Sequence, residues 1–249
     1  MKTSGNTILI TGGTSGIGLG LALRFHEAGN TVIVAGRRRE LLDKIAAEHD
    51  GIDAVALDVA DPASIAAAFD EVTGKYPQLN VLINNAGMMA PEDVLDAGHL
   101  AVAEATITTN LLGPIRMLNL FAPFLAAQQD AVVMNVSSGL AFVPLPVTPT
   151  YSATKAAIHS LTESLRVQLG RHGIEVLELI PPAVQTDLMG QNDSDRAMPL
   201  EDFLTEVMTI LVTRPGDTQI CVKNVEPLRF AEANGNYEAI LETLSNVTH

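Results

Sequence analysis

Tyr151-Ser152-Ala153-Thr154-Lys155 sets a phenol and an amine at i and i+4. On a helix those positions share a face. An ammonium beside a phenol stabilises the phenolate and lowers its pKa from about 10 toward the working pH. Tyr151 is then a usable general acid or base. The spacing also arises by chance on amphipathic helices. Upstream, Val136-Ser137-Ser138-Gly139 ends a strand-like apolar run. A hydroxyl there could hold a substrate carbonyl oxygen together with Tyr151. Strand-end serines also form plain turns.

A second constellation lies near the start. Thr7–Thr11 reads as a strand and runs into Gly12-Gly13-Thr14-Ser15-Gly16-Ile17-Gly18, which opens a helical pattern. Glycines at 12, 16 and 18 let the backbone approach a phosphate, and the helix start supplies free N–H groups. The same turn could be glycine-rich for packing alone. Dinucleotide folds usually carry an acid at the end of the second strand for the ribose hydroxyls. Here that strand ends in Ala35-Gly36-Arg37-Arg38-Arg39. Guanidinium groups pair with a 2′-phosphate, whereas a carboxylate repels it. Cations are disfavoured at a helix start unless an anion is present. The pattern favours NADP(H) over NAD(H).

These groups need a scaffold. Strand-like runs at 7–11, 31–35, 53–57, 80–84, 131–136, 174–180 and, more weakly, 219–223 alternate with helical patterns. The helices are expected at 17–28, 38–48, 62–74, 98–127 and 152–170. Ile17, Leu21, Phe25 and Ala28 form one apolar stripe, and Gly29 follows as a C′ residue. Apolar strands alternating with helices predict one α/β domain over 1–249, a doubly wound, Rossmann-type parallel sheet of about seven strands with helices on both faces. The segment 187–205 mixes Leu188, Met189 and Met198 with the polar run Gln191-Asn192-Asp193-Ser194-Asp195. It is read as a substrate lid, with a plain surface loop as the alternative.

Composition narrows the function classes. The 249 residues carry 15 Lys plus Arg against 29 Asp plus Glu, a net charge of −14. That argues against a nucleic-acid binder and against docking on anionic membranes. Cys221 is the single cysteine, and the six histidines show no metal-ligand spacing, so no metal is expected. No signal-like or membrane-spanning apolar run occurs, and a cytoplasmic protein is expected.

Taken in order, Thr11-Gly12-x-x-x-Gly16-x-Gly18, Asp58-Val59, Asn84-Asn85-Ala86-Gly87, Asn110, Ser138 and Tyr151-x-x-x-Lys155 form a specific set. The chain resembles the short-chain dehydrogenase/reductase family, in its single-domain branch, from the first strand to about residue 190. The resemblance implies a catalytic set of Asn110, Ser138, Tyr151 and Lys155. Tyr151 would protonate the carbonyl oxygen, Lys155 would tune Tyr151 and bind the nicotinamide ribose, and Ser138 would orient the carbonyl. Asn110 would hold a water that relays protons to Lys155. It further implies a cofactor site built from Gly12, Thr14, Ser15, Gly16, Ile17 and Gly18, with Arg37 and Arg38 at the 2′-phosphate. Asp58 and Val59 would meet the adenine, and Asn85, Ala86 and Gly87 would close the fourth strand. Pro181, Val184 and Thr186, with Tyr151 and Lys155, would flank the nicotinamide.

Two departures stand out. The family's Pro-Gly-x-Val-x-Thr is here Pro181-Pro182-Ala183-Val184-Gln185-Thr186. Pro182 removes a donor and should stiffen this wall. The C-terminal stretch, about 219–249, lacks the family's usual ending and is similar to a bacterial branch that includes an oxidoreductase encoded beside lipoteichoic-acid D-alanylation genes. It favours a homodimer through the helices at 98–127 and 152–170. Met88, Leu140, Pro144, Leu145, Pro182, Leu188 and Met189 are read as an apolar pocket, though such residues are as often core. The expected activity is hydride transfer between NADP(H) and a small, apolar carbonyl or alcohol. A β-ketoacyl-thioester reductase, for which Arg196 is the one nearby cation, and a non-catalytic NADP-binding regulator are the alternatives.

Overall fold

The computed structural model describes residues 1–246, without the side chains at 191–193. Seven parallel strands form one sheet in the order β3-β2-β1-β4-β5-β6-β7. They are β1 (Thr7–Thr11), β2 (Thr31–Gly36), β3 (Ile52–Ala56), β4 (Val81–Asn84), β5 (Val132–Val136), β6 (Glu175–Ile180) and β7 (Gln219–Cys221). The β-branched runs at these positions are buried on both faces, as a covered parallel sheet requires. This is the Rossmann-type, doubly wound architecture that the alternation predicts.

Helices α1 (Gly16–Glu27) and α2 (Arg39–Glu48) cover one face, together with α7 (Leu200–Thr213). Leu21, Phe25, Leu42, Phe203 and Val207 pack there on Ile8, Ile10 and Val34. Helix α3 (Pro62–Lys75) lies on the other face with α4 (His99–Ile107), α5 (Gly113–Leu125) and α6 (Pro149–Gly170). Ile65, Val72, Met117 and Phe121 pack there on Leu9, Ile33 and Val133. The C-terminal α8 (Glu226–Arg229) and α9 (Tyr237–Ser245) follow β7.

Local chemistry explains the ends. Asp61 caps α3 by accepting the Ala63 N–H at 2.9 Å, and Pro62 opens the helix where its missing N–H costs nothing. Gly29 takes φ +89° after α1. Its N–H reaches the His26 carbonyl and that of Asn30 the Phe25 carbonyl, so the last turn is closed.

Three expectations are corrected. The helix read over 98–127 is two helices, α4 and α5, joined by a π turn at Thr108–Leu112. Pro114 has no N–H for the carbonyl of Asn110, its i−4 residue, and the helix widens there. In the α1 stripe, Leu21 and Phe25 are buried, but Ile17 and Ala28 are only half-buried. Ile17 faces a cleft at the sheet's carboxyl edge instead. Within 187–205, Ala197 and Met198 are buried and residues 200–205 belong to α7. The Met198 N–H donates to the Ala183 carbonyl at 2.8 Å, and the Gln185 N–H to the Met198 carbonyl at 2.9 Å. That segment is therefore tied at its C-terminal side to the loop that follows β6. The side chains of Gln191, Asn192 and Asp193, and residues 247–249, lie outside the described residues.

Candidate active site

Strand order reverses between β1 and β4, and ligands of such sheets bind at that switch point. The chain stitches the two strand ends together. Thr11 Oγ1 accepts the N–H groups of Asn85 and Ala86, both at 3.0 Å. Asn85 Nδ2 donates to the carbonyls of Thr11 and Gly12 at 3.0 and 3.2 Å. A Cβ on Gly18 would lie 2.3 Å from the Gly12 oxygen, and one on Gly12 would lie 2.8 Å from Ala86 Cα. Only glycine allows α1 to start this close to both strands. The result is a groove of about 410 Å³.

Most of the cofactor residues named from the sequence line that groove. Gly12, Thr14, Ser15, Gly16, Ile17 and Gly18 form its floor at the start of α1. Arg37 and Arg38 stand at one end, and Asp58 and Val59 form a side. Asn85, Ala86, Gly87 and Thr186 complete it. Arg38 donates to Thr14 Oγ1 at 2.9 Å and to Ser15 Oγ at 2.8 Å. Arg37 is exposed and makes no ion pair among the described residues. Asp58 is occupied in part by its own turn, accepting the Ala60 N–H at 2.9 Å.

The groove opens into a second cavity of about 530 Å³, and the two share Ile17, Asn85, Gly87, Thr186 and Leu188. Ser138, Tyr151, Lys155, Pro181 and Val184 line this cavity rather than the groove. Ser138 lies two residues beyond β5 and starts a short turn, its Oγ accepting the Leu140 N–H at 3.1 Å. The adjacent Gly139 N–H donates to the Pro181 carbonyl at 2.9 Å, which fixes this loop against the end of β6. Tyr151 and Lys155 enter from the first turns of α6 and are nearly buried. Lys155 Nζ donates to the Val136 carbonyl at 2.8 Å.

Burial dominates the electrostatics. It pushes the Tyr151 phenol up to about 12, against a smaller downward pull from its hydrogen bond with Ser138. It pushes the Lys155 ammonium down to about 8. The i, i+4 spacing predicts that Lys155 brings the phenol down toward the working pH. In the structure the ammonium is turned toward the Val136 carbonyl, and burial raises the phenol instead.

Asn110 is buried in the π turn and acts as a clamp. Its Oδ1 accepts the Met88 N–H and its Nδ2 donates to the Met88 carbonyl, both at 2.8 Å. Nδ2 also reaches Thr154 Oγ1 at 3.3 Å. The side chain thus joins the β4 loop to α6, and its main-chain carbonyl is the group left without a regular helical donor.

The predicted pocket is only partly right. Leu140, Leu145, Pro182, Leu188 and Met189 line the cavity. Met88 lines the groove, and Met89 lines the cavity instead. Pro144 is not among the lining residues. Arg196 lines the cavity, so the wall is not wholly apolar. Leu228 and Leu244 also line it, brought in by α8 and α9. Nothing in the tail's own sequence reveals that contact; Leu228 is seated by Gly139, where a Cβ would lie 2.7 Å from its Cδ1.

The short chain dehydrogenase family profile matches residues 6–197, and the chain belongs to that family. It is 38% identical to the uncharacterized oxidoreductase DltE of Bacillus subtilis over 98% of both chains. This agrees with the bacterial branch to which the tail points. Among solved structures, a short chain dehydrogenase from Burkholderia cenocepacia in complex with NADP is 25% identical, with TM-score 0.82 and full coverage of both chains. A 3-ketoacyl-(acyl-carrier-protein) reductase from Brucella melitensis complexed with NADH is 27% identical, with TM-score 0.77, covering 86% of this chain and 93% of that one.

Proposed function

We propose that this protein is an NADPH-dependent reductase of neutral, largely apolar ketones or aldehydes, with Asn110, Ser138, Tyr151 and Lys155 as its catalytic set. One observation carries the reading: Tyr151 and Ser138 line one mainly apolar cavity that continues an arginine-ended, glycine-floored groove. The Burkholderia relative holding NADP supports the choice of cofactor.

Gly12 to Gly18 would hold the pyrophosphate, and Arg37 with Arg38 and Ser15 the 2′-phosphate. Asp58 and Val59 would border the adenine. Pro181, Val184 and Thr186 would flank the nicotinamide, which when bound supplies or accepts the hydride. Ser138 Oγ orients the carbonyl oxygen. Tyr151 Oη gives that oxygen its proton as the carbon is reduced to an alcohol. A phenol near 12 is protonated at neutral pH and so has a proton to give. Lys155 Nζ, held by the Val136 carbonyl, would bind the nicotinamide ribose. The Asn110 carbonyl, without its helical donor, would hold the water that links Lys155 to solvent.

Residues 187–190 and 194–196 would belong to a lid over the cavity, anchored on either side by the Gln185–Met198 pairing. The protein works in the cytoplasm as a homodimer. Exposed Leu100, Ile107, Ile115 and Val167 on α4, α5 and α6 supply the apolar dimer face. No helix of the described residues is long and apolar enough to cross a membrane. Sedimentation at two protein concentrations tests the dimer.

NADPH consumption across a panel of ketones and aldehydes tests the activity, with Tyr151→Phe as the control. A β-ketoacyl-thioester reductase is the second reading, favoured by Arg196 in the cavity wall and by the likeness to the Brucella reductase. Faster turnover of a β-ketoacyl carrier-protein thioester than of the matching free ketone would select it.

A further inference from the structure

Strand β6 reads Glu-Val-Leu-Glu-Leu-Ile, and Glu178 in its middle is wholly buried. A carboxylate is costly to bury unless it is paired and hydrogen-bonded. Glu178 is. Ser137 Oγ donates to its Oε1 at 2.6 Å. His159 Nδ1 lies 3.1 Å from Oε1 and 2.9 Å from Oε2. Gln219 Nε2 donates to Oε2 at 3.3 Å, and Gln219 in turn accepts from Arg229 Nε at 2.9 Å.

These partners belong to both halves of the proposed catalytic set. Ser137 stands between Val136, whose carbonyl takes Lys155 Nζ, and Ser138, which lines the cavity with Tyr151. His159 follows Tyr151 and Lys155 on α6 at successive i, i+4 steps, so the three share one helix face. Glu178 therefore grips the strand end that carries Ser138 and the helix face that carries Tyr151 and Lys155. It does not line the cavity itself.

Seating α6 on the sheet does not by itself call for a charge here. In the same register row, β5 places Asn135 opposite Glu178, and Asn135 Nδ2 donates to Thr162 Oγ1 on α6 at 2.9 Å. An amide suffices there. A carboxylate differs in having two acceptor oxygens, enough to take Ser137, His159 and Gln219 together.

We propose that Glu178 is a positioning residue for the reaction, acting through Ser137 and His159 to hold Ser138 against Tyr151 and Lys155. This rests on the reductase reading above. The test compares wild type with Glu178→Leu, Glu178→Gln and Ser137→Ala. Three quantities are measured on folded protein: NADPH affinity by fluorescence, kcat and KM with a reducible ketone, and hydrogen exchange at amides 139–141. Glu178→Leu should lower kcat by about tenfold or more with NADPH affinity nearly unchanged, and Glu178→Gln, which keeps one of the two acceptor oxygens, should recover only part of that loss. Ser137→Ala should lower kcat by roughly threefold or more. The Leu140 amide, held by Ser138 Oγ, should exchange faster in Glu178→Leu and in Ser137→Ala. A folded Glu178→Leu protein with wild-type kcat and wild-type exchange overturns the proposal. If Glu178→Leu does not fold, Ser137→Ala decides it by the same two readouts. If the wild type reduces no carbonyl, the reductase reading fails, and exchange at Leu140 still settles the positioning role.

Discussion

Lys155 Nζ lies 5.5 Å from the centre of the Tyr151 ring and donates instead to the carbonyl of Val136. The cation is thus fixed by the last residue of β5, two residues before Ser138, and its charge is only loosely offered to the phenol. Both groups are shifted mainly by burial, in opposite directions: Tyr151 up to about 12 and Lys155 down to about 8.

A pH dependence of stability follows. The folded chain gives up the Lys155 proton near 8, whereas the unfolded chain keeps it to its ordinary value of 10.5. Between those values the unfolded state binds more protons, so this group makes stability rise with pH. Below about 8 both states hold the proton and the burial cost is fully present. From its ordinary 10.0 to about 12, Tyr151 has the opposite sign, since the folded phenol keeps a proton that the unfolded one loses. Lys155→Met should be more stable than wild type at neutral pH, by at most about 3 kcal/mol because Val136 loses its donor. That gap should narrow as pH rises from 8 to 10. Urea melts at stepped pH check it; a gap that widens over this range contradicts it.

Tyr151→Phe removes the proton donor at the cavity and leaves the groove intact. Reductase turnover should fall about 10²–10⁴-fold, the usual worth of a general acid, while NADPH still binds. Retained turnover in the purified variant would end the proposed role.

Arg37 and Arg38 should fail differently. Arg37 is exposed at the groove's end with no ion pair among the described residues, so Arg37→Ala should cost NADPH binding and spare NADH. Arg38 also holds the hydroxyls of Thr14 and Ser15, so Arg38→Ala should raise KM for both cofactors. Arg37→Asp with Arg38→Ala should erase or reverse the NADPH preference. Equal kcat/KM for NADPH and NADH in the unaltered protein would refute it.

The sheet was legible because its strands are unbroken apolar runs, a pattern that needs no knowledge of what pairs with what. Tyr151 and Lys155 were legible because helical spacing alone puts them on one face. The break at Asn110 could have been read from Pro114, whose missing N–H falls on that carbonyl. Glu178 could be noticed as an acid in an apolar strand, but its partners could not. They depend on the strand register and on which side of α6 meets β6, both set by the whole sheet. Leu228 and Leu244 were out of reach for the same reason: the path of the tail across Gly139 is a tertiary fact.

Those two leucines carry a prediction about specificity. Leu228 and Leu244 close the cavity from α8 and α9. Leu244→Ala should enlarge it with little effect on stability, since α9 has no fully buried residue. KM should then fall for bulkier ketones relative to small ones, with the NADPH KM unchanged. A uniform change across ketone sizes would place Leu244 outside the specificity wall.

The lid can be tested against its own anchors. Gln185 and Met198 donate their N–H groups across the bridge that joins Val184 to Met198. Their amides should exchange slowly in the free protein. Asp187, Leu188 and Gly190 are exposed, as are Asp195 and Arg196. Segments of this kind, with few buried contacts, open at low free energy. Their amides should exchange fast without ligand and become protected when NADPH and a ketone analogue are both bound. NADPH alone should protect residues 187 and 188 first, because only these two of the five line the groove. Hydrogen exchange resolved to single amides decides the matter. Protection that is already high at Leu188 and Gly190 in the free protein, and unchanged by ligands, would make the segment a fixed wall.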